Sequence, residues 1–136
     1  MGIEAITKNG VTYAEVIRAG TRVDRTTFFS PAESSFQFGL LAHDAGYAEA
    51  PHYHKPARRV ITDLQQMFVV QRGLVDVQLF SDEGEMFEVI RLTQGDAIVL
   101  VHGAHAIEVV EDMQCLSVKQ GPFLGDEEDQ IPIRIA

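Results

Sequence analysis

Short apolar segments, separated by turn residues at intervals of about 8 to 12 residues, limit the possible folds of this chain more than any other feature of its sequence. The segments are rich in valine, isoleucine and phenylalanine, and none keeps a helical apolar spacing along its length. Such an alternation of strands and turns is typical of an antiparallel sandwich or barrel. The predicted strands are Val11–Arg18, Phe36–Ala42, Gln65–Arg72, Leu74–Phe80, Phe87–Leu92, Asp96–Val101, Ala106–Val110 and Cys115–Gln120, with shorter pieces at Thr27–Phe29, His52–His54 and Val60–Ile61.

Two connections between these strands are informative. Leu74–Phe80 and Met86–Leu92 flank a turn that contains Gly84, and because glycine adopts a positive φ without a Cβ clash, the pair reads as a hairpin. Gly95 precedes the apolar run Ala97–Val101. That run lacks the polar alternation of a half-exposed strand, so we expect it to be buried on both faces.

At 136 residues the chain has room for one domain of ordinary size. Its 20 acidic and 11 basic residues give a formal charge of -9, which opposes binding to nucleic acid or to anionic membranes. No apolar run is long enough to cross a membrane, and the first residues lack the pattern of a secretory signal. We therefore expect a cytoplasmic protein with no nucleic-acid or membrane partner. The single cysteine, Cys115, excludes an intrachain disulfide and a cysteine-based zinc site.

All five histidines fall between residues 43 and 105. His52 and His54 flank one tyrosine, and because alternate residues of a strand project from the same face, both imidazoles would reach one point. Neutral imidazole is a common ligand for divalent iron, zinc, nickel and copper, so two of them on one face form half of a metal site. Taken alone, the pair is also open to a simpler interpretation as two surface histidines.

The residues around this pair follow a spacing that resembles the two motifs of the cupin superfamily. The matching positions are Gly46, then five residues, His52 and His54; Gln66, then six residues, Gly73; and Gly95 with His105 ten positions later. The resemblance implies one all-β domain over residues 1–136, an antiparallel barrel of the double-stranded β-helix or jelly-roll kind. The motif core would span residues 46–109, between an N-terminal strand region, 1–45, and a C-terminal strand with an acidic tail, 110–136.

By the same resemblance, His52, His54 and His105 would bind one divalent metal ion, and Gln66 would replace the family's glutamate as a fourth ligand. Three histidines leave open positions on the metal for a water or a substrate oxygen. Iron, zinc, nickel and manganese all suit such a donor set, so the identity of the metal stays open. A degenerate barrel without metal is the alternative.

Strand parity agrees with an inward-facing Gln66. If its side chain points inward, the alternate residues Phe68 and Val70 point inward too, which would place a polar ligand above two apolar core residues.

Three departures from the family pattern bear on this site. Eleven residues separate His54 from Gln66, more than the family has there, so Lys55–Gln65 is an insertion that would cover or narrow the pocket. Glutamine offers a metal a neutral carbonyl oxygen in place of a carboxylate. The second motif has one residue fewer before its histidine than the family has. His102 is therefore an alternative to His105 as the third histidine ligand.

Further polar side chains near the predicted mouth are candidates for a role with substrate. Tyr47, Tyr53 and Glu108 are candidate proton donors or acid-base groups. Arg58 and Arg59 form a guanidinium pair that could bind a carboxylate or phosphate of the substrate. For each of these residues, a solvated surface position is the alternative.

The resemblance leaves three functions open. The first is a metal-dependent isomerase or epimerase that acts on a small polar molecule, sugar-like or carboxylated. The alternatives are an iron(II)-dependent dioxygenase and a non-catalytic barrel that binds a small molecule. The segment Val118–Phe123 is similar to the ending of small cupins of polysaccharide and sugar-nucleotide pathways, which favours a sugar-related role. Small cupins commonly dimerise, so we expect a homodimer, with the N-terminal strand and the tail Ile131–Ile135 at its interface. A monomer, kept apart by its mixed surface charge, is the alternative.

Overall fold

The structure is a computed structural model that describes residues 3–133. Its contacts divide the chain into two compact units. The sheet unit comprises residues 3–21 and 65–133, and the connecting unit comprises residues 22–64. The prediction of a single domain is not tested by this division. The last residues of the tail predicted to lie at a dimer interface, 134 and 135, are outside the described residues.

Nearly all regular structure in the described residues is β. The elements in chain order are β1 (Ile3–Lys8), β2 (Val11–Ile17), β3 (Thr27–Phe28), β4 (Gly39–Leu40), β5 (Gln66–Phe80), β6 (Met86–Thr93), β7 (Ala97–Leu100), β8 (Ala104–Lys119) and a single helical turn, α1 (Asp126–Asp129). The sheet unit contains one antiparallel sheet in the order β1-β2-β7-β5-β6, and β8 pairs with β5. The expectation of an all-β, antiparallel fold is confirmed at this level.

Strand β7 lies at the centre of the sheet, between β2 and β5. All four of its residues are buried, as the sequence predicts for the apolar run after Gly95. The preceding Asp96 is buried and accepts hydrogen bonds from the backbone N–H groups of Thr93 and Ala19. These bonds satisfy a carboxylate that would otherwise be costly to bury, so Asp96 fixes the turn that leads into the core.

The sheet curls into a half-barrel. His105 on β8 pairs with Leu79 on β5, and Leu79 lies 11 positions after Phe68 in the same strand. The rings of Phe68 and His105 are nevertheless only 6.3 Å apart. A straight strand would separate these positions by roughly 36 Å, at about 3.3 Å per residue. The two long strands must therefore bend together, and this bend gives the sheet a concave and a convex face.

Gly73 marks the bend in β5. The register between β5 and β8 shifts three times between Val70 and Val75, and Gly73 has φ 97°. A Cβ at Gly73 would lie 2.6 Å from the Cα of Met113 on β8, closer than real contacts allow. Only glycine fits both the backbone conformation and the close approach of β8.

The hairpin predicted around Gly84 is confirmed. Strands β5 and β6 are antiparallel neighbours, with Val77 opposite Ile90. The backbone N–H of Gly84 donates to the carbonyl of Ser81, and that of Ser81 donates to Glu85. These bonds close the turn between the strands.

Other strand boundaries differ from the prediction. The chain continues as one strand through Gly73 and through residues 111–114, so that β5 and β8 each join two predicted strands. The segments His52–His54 and Val60–Ile61 are not strands. Prolines stand on both sides of His52–His54 and cannot donate to a ladder, which explains the first of these differences. Strand β1 is absent from the predicted set.

The core of the sheet unit is apolar and continuous. Its largest fully buried side chains come from β2, β5, β6 and β7 and are contributed mainly by alternate residues of each strand. They are Leu79, Leu92, Ile98, Val16, Val70, Val77 and Val99.

The connecting unit has little regular structure. Its two short strands, Thr27–Phe28 and Gly39–Leu40, pair as an antiparallel ladder. The amide of Gln37 donates to the carbonyls of Pro31 and Ser34, which closes the loop between those strands. Beyond this short ladder, hydrogen bonds from side chains to the backbone hold the loop of the connecting unit.

Within residues 3–133 no helix is long and apolar enough to cross a membrane.

Candidate functional site

A cavity of about 150 Å³ lies on the concave face of the half-barrel. Its lining is apolar except for the hydroxyl of Ser117 and the thiol of Cys115. A cavity of this size and lining can hold a ligand about as large as benzene. The residues that line it come from β5, β6 and β8 and are Phe68, Val75, Val77, Leu92, Ile107, Met113, Cys115 and Ser117.

Strand pairing explains why these residues share one face. Phe68 on β5 lies opposite Ser117 on β8, and Val77 lies opposite Ile107. Directly opposed residues in an antiparallel pair project from the same side of the sheet. Phe68 lines the cavity and Val70 is 1% exposed, so both face the interior, as strand parity predicts for an inward-facing Gln66.

Gln66 lies at the start of β5, close to the cavity. Its Nε2 donates a hydrogen bond of 2.9 Å to the hydroxyl oxygen of Ser117, which lines the cavity. The side chain is therefore directed to the concave face. Because the amide nitrogen is engaged with Ser117, the carbonyl oxygen Oε1 is the atom left to accept from a ligand or bind a cation.

His105 lies at the start of β8. Its ring meets that of Phe68 edge to face, at 6.3 Å and 73°. The side chain is exposed on one side, while partial burial lowers its pKa from the ordinary value through desolvation of the charged form. His105 is therefore neutral at pH 7, the state in which imidazole accepts a proton or binds a metal.

Cys115 presents its thiol to the cavity. The Sγ–H donates to the sulfur of Met113 at 3.2 Å, and burial raises the pKa of the thiol. The protonated thiol is the form present at neutral pH, and a thiol is a poor nucleophile compared with its thiolate. Cys115 therefore contributes a soft, weakly polar surface to the cavity, consistent with its apolar neighbours in the sequence.

The connecting unit brings His52 and His54 together, although neither lies in a strand. Their ring centroids are 5.4 Å apart with an angle of 68° between the planes. The two rings are therefore neighbours in an edge-to-face contact.

The other candidates of the connecting unit lie on its surface. Tyr47 is 58% exposed and stacks on His43, with ring centroids 3.9 Å apart and planes 8° apart. Tyr53 is 98% exposed. Arg58 and Arg59 are exposed on backbone without regular structure. Their roles as catalytic or substrate-binding groups stay predictions.

Glu108 points away from the cavity. It lies opposite Asp76 in the pairing of β5 with β8 and follows Ile107, which lines the concave face. Alternation therefore places Glu108 on the convex face, where the amide of Gln78 approaches its carboxylate at 3.5 Å. It is exposed, one of the two alternatives that the sequence left open.

A polar cluster in the sheet unit was not predicted. The Nε2 of His102 lies 2.9 Å from the Oδ1 of Asp82, and its ring meets that of Tyr13 edge to face at 5.0 Å. Burial, together with the nearby carboxylate of Asp82, raises the pKa of Tyr13. Gly103 permits the contact, because a Cβ there would lie 2.6 Å from the Tyr13 ring. The sequence offers no signal for a contact between residues so far apart in the chain.

The structure places Gln66 and His105 on the concave face of the sheet unit, and His52 and His54 in the connecting unit. Among the described residues, no group of three or more His, Cys, Asp or Glu side chains is already arranged to hold a metal ion. Each donor nevertheless has suitable chemistry: three imidazoles and an amide oxygen. The complete set of four ligands stays a prediction.

Comparison of this chain with known family models, with curated proteins and with solved structures finds no match.

Proposed function

We propose that this protein binds a small molecule with an apolar body and one polar end on the concave face of its half-barrel. The cavity beside Gln66 and His105 carries the proposal, because it combines an apolar wall with a few polar groups at its margin. Small-molecule sites in proteins have this composition, in which apolar side chains supply affinity and isolated polar groups fix orientation.

The mostly apolar lining of the cavity favours a ligand that is less polar than a free sugar. A sugar exposes hydroxyl groups on every side, and each of them loses its hydrogen bonds with water when it is buried against valine, leucine or phenylalanine. The cavity offers the hydroxyl of Ser117 and the thiol of Cys115 as its own polar partners. A short branched chain or a single ring, joined to a carboxylate or hydroxyl that reaches the margin, suits these groups better.

Binding is favoured over isomerisation because the cavity lining holds no basic group. Isomerisation requires a base within hydrogen-bond reach of a carbon-bound proton. The one ionisable side chain of the lining is Cys115, which is protonated at neutral pH. His105, whose ring contacts that of Phe68, is a candidate for that role outside the lining.

A metal-dependent reaction is the second candidate function. It is favoured by the neutral imidazole of His105 and by the His52-X-His54 motif, which resembles that of the cupins. A divalent ion bound by these histidines, with Gln66 as an oxygen donor, would polarise an oxygen of the ligand. With iron(II) the same residues would suit a dioxygenase, and with zinc, nickel or manganese an isomerase or epimerase.

Binding of toluene, followed by calorimetry and by methyl chemical shifts, tests the proposed cavity. Ile107→Phe fills the cavity from β8 and is expected to weaken binding at least tenfold. Val110→Phe lies on the same strand outside the lining and is the matched control, expected to bind as the wild type does. Absence of toluene binding by the wild type, or equal binding by the Ile107→Phe variant, would overturn the proposal.

Elemental analysis of the untagged protein tests the second candidate. Near-stoichiometric metal that is lost in both His52→Ala and His105→Ala is the expected result, and the element found separates the two reaction classes. Metal absent from the wild type after reconstitution would remove this candidate and leave binding as the function.

A further inference from the structure

The hydroxyl of Ser117 is the polar group that the cavity presents to a ligand. Ser117 lies on β8 opposite Phe68 of β5, and both residues line the cavity. Cys115 is the other polar member of the lining, but its Sγ–H already donates to the sulfur of Met113. Ser117 is exposed, so a ligand that enters the cavity can reach its hydroxyl.

Gln66 sets the direction in which this hydroxyl forms hydrogen bonds. Its Nε2 donates to the Oγ of Ser117 at 2.9 Å, and an amide nitrogen has no lone pair with which to accept. The hydrogen of the hydroxyl therefore points away from Gln66. Within residues 3–133 the structure gives the Ser117 hydroxyl no second hydrogen-bond partner. Its O–H is thus available to donate to a ligand.

The hydrogen bond from Gln66 also strengthens Ser117 as a donor. A hydroxyl that accepts a hydrogen bond is polarised and donates more strongly, because hydrogen bonds in a chain reinforce one another. A hydrocarbon placed against Ser117 would deprive this O–H of water and give it no acceptor, at a cost in binding free energy. An oxygen acceptor on the ligand replaces the water and avoids that cost. The cavity therefore discriminates between ligands by the presence of an acceptor next to Ser117.

The lining favours an acceptor that carries no charge. None of the eight described residues that line the cavity is a lysine, an arginine or a histidine, so a carboxylate bound among them would have no cation beside it. Burial of an anion without a partner costs far more than burial of a neutral carbonyl. A carboxylate therefore suits only the margin, where water still reaches it. Inside the cavity, the carbonyl of a ketone, aldehyde or ester satisfies Ser117 without that penalty.

We propose that Ser117 determines the specificity of this cavity, and that the ligand is a small apolar molecule with an uncharged carbonyl oxygen. Ser117 donates a hydrogen bond to that oxygen, and Gln66 is a positioning residue that directs the hydroxyl. The inference rests on the function proposed above, because it names the ligand class of the same cavity.

Calorimetry with cyclohexanone and methylenecyclohexane tests the role of Ser117, because the two probes have the same ring and differ only in a C=O or a C=CH₂ group. Ser117→Ala is expected to raise the dissociation constant of cyclohexanone about fivefold relative to that of methylenecyclohexane, the effect of one neutral hydrogen bond. Ser117→Thr keeps a hydroxyl and should keep the wild-type ratio of the two constants. Far-UV circular dichroism should be the same for these variants, since the position is exposed.

Gln66→Glu tests the positioning role. A carboxylate accepts from Ser117 instead of donating to it, so the hydroxyl turns away from the ligand, and the relative loss for cyclohexanone should match that of Ser117→Ala. Gln66→Met removes the donor but leaves the hydroxyl free, and should give a smaller loss. Gln114→Glu is the matched control, because it adds the same charge to an exposed residue of β8 outside the lining, and should leave the ratio unchanged.

Failure of this inference and failure of the proposed function give different results. If the wild type binds toluene and methylenecyclohexane, but Ser117→Ala shows no relative loss for cyclohexanone, the inference is overturned and the binding function stands. Binding of toluene without any binding of cyclohexanone has the same meaning. Equal ratios in Gln66→Glu and the wild type overturn the positioning role of Gln66. If none of the three probes binds the wild type, the proposed function and this inference fall together.

Discussion

Fourteen of the fifteen buried apolar side chains in the described residues belong to the sheet unit, whereas the connecting unit contributes Phe38 alone. The connecting unit instead carries three of the five histidines and two of the three tyrosines. Backbone ladders fix the sheet, so its side chains can form a cavity of set shape. The connecting unit holds most of the histidines and tyrosines but little of the packed core. The two units therefore differ in how much their side chains contribute to packing.

The largest difference in the free energy of unfolding is expected when one leucine is truncated to alanine in each unit. Leu79 is 1% exposed in the sheet unit, and Leu79→Ala is expected to lower the free energy of unfolding by about 3 kcal/mol through lost burial and a new cavity. Leu41 is 75% exposed in the connecting unit, and Leu41→Ala should cost less than about 0.5 kcal/mol. Urea unfolding measures both, and equal costs would contradict the division described above.

Substitution at the bend tests whether the curvature of the sheet depends on one residue. Gly73→Ala is expected to destabilise the protein by about 2 kcal/mol, because alanine has to adopt a positive φ and its Cβ meets β8. Gly20→Ala is the matched control, since its Cβ would meet nothing within 4 Å, and should change stability by less than about 0.5 kcal/mol. Similar urea midpoints for the two variants would show that the bend does not need glycine.

Acid should reveal the partial burial of His105. Its pKa is lowered in the folded state, so on acidification the unfolded chain binds the proton first, near the ordinary pKa of about 6.5. Stability therefore falls as the pH drops below this value, and the loss is complete below the lowered pKa. Compared with the wild type, His105→Gln should gain relative stability between pH 7.5 and pH 5 in urea unfolding. A difference between the two proteins that does not change with pH would refute partial burial.

The smallest change in stability is expected from the Asp76–Arg91 ion pair on the convex face of the sheet. Two hydrogen bonds from the Arg91 guanidinium hold the pKa of Asp76 below its usual range. The stabilisation is therefore present above the unfolded pKa of about 3.9 and is lost as the pH falls through the lower, folded value. A double-mutant cycle of Asp76→Asn and Arg91→Gln should show a small coupling at pH 7 that disappears in strong acid. Coupling that persists there would point to packing instead of charge.

The sequence was sufficient where local pattern and tertiary structure agree. The turn before β7 and the complete burial of that strand follow from a glycine, an aspartate and an apolar run in succession. The inward orientation of Phe68 and Val70 follows from the alternation of a strand. In each case the residues that determine the structure are neighbours in the chain.

The sequence did not predict the structure where contacts between residues far apart in the chain determine it. Gly73 has the positive φ of a turn glycine, and only the approach of β8 distinguishes a bent strand from two strands with a turn. The contact of Asp82 with His102 and Tyr13 is equally non-local. His52 and Glu49 are close in the sequence and in space. Which ring nitrogen of His52 carries the proton depends on its hydrogen bond with the carbonyl of Ala50, which the sequence does not show. The cupin resemblance, the metal and the homodimer stay predictions.

Among the described residues, the long strand β8 has a ladder with β5 alone, so its other edge joins no strand of that sheet. An edge of sixteen residues is a template on which another chain can assemble. Glu108, Glu111 and Asp112 stand exposed near its middle. Two copies that met edge to edge would crowd these carboxylates together, and the repulsion between them would oppose that pairing. This repulsion would weaken in acid or at high salt, where the negative charge is neutralised or screened.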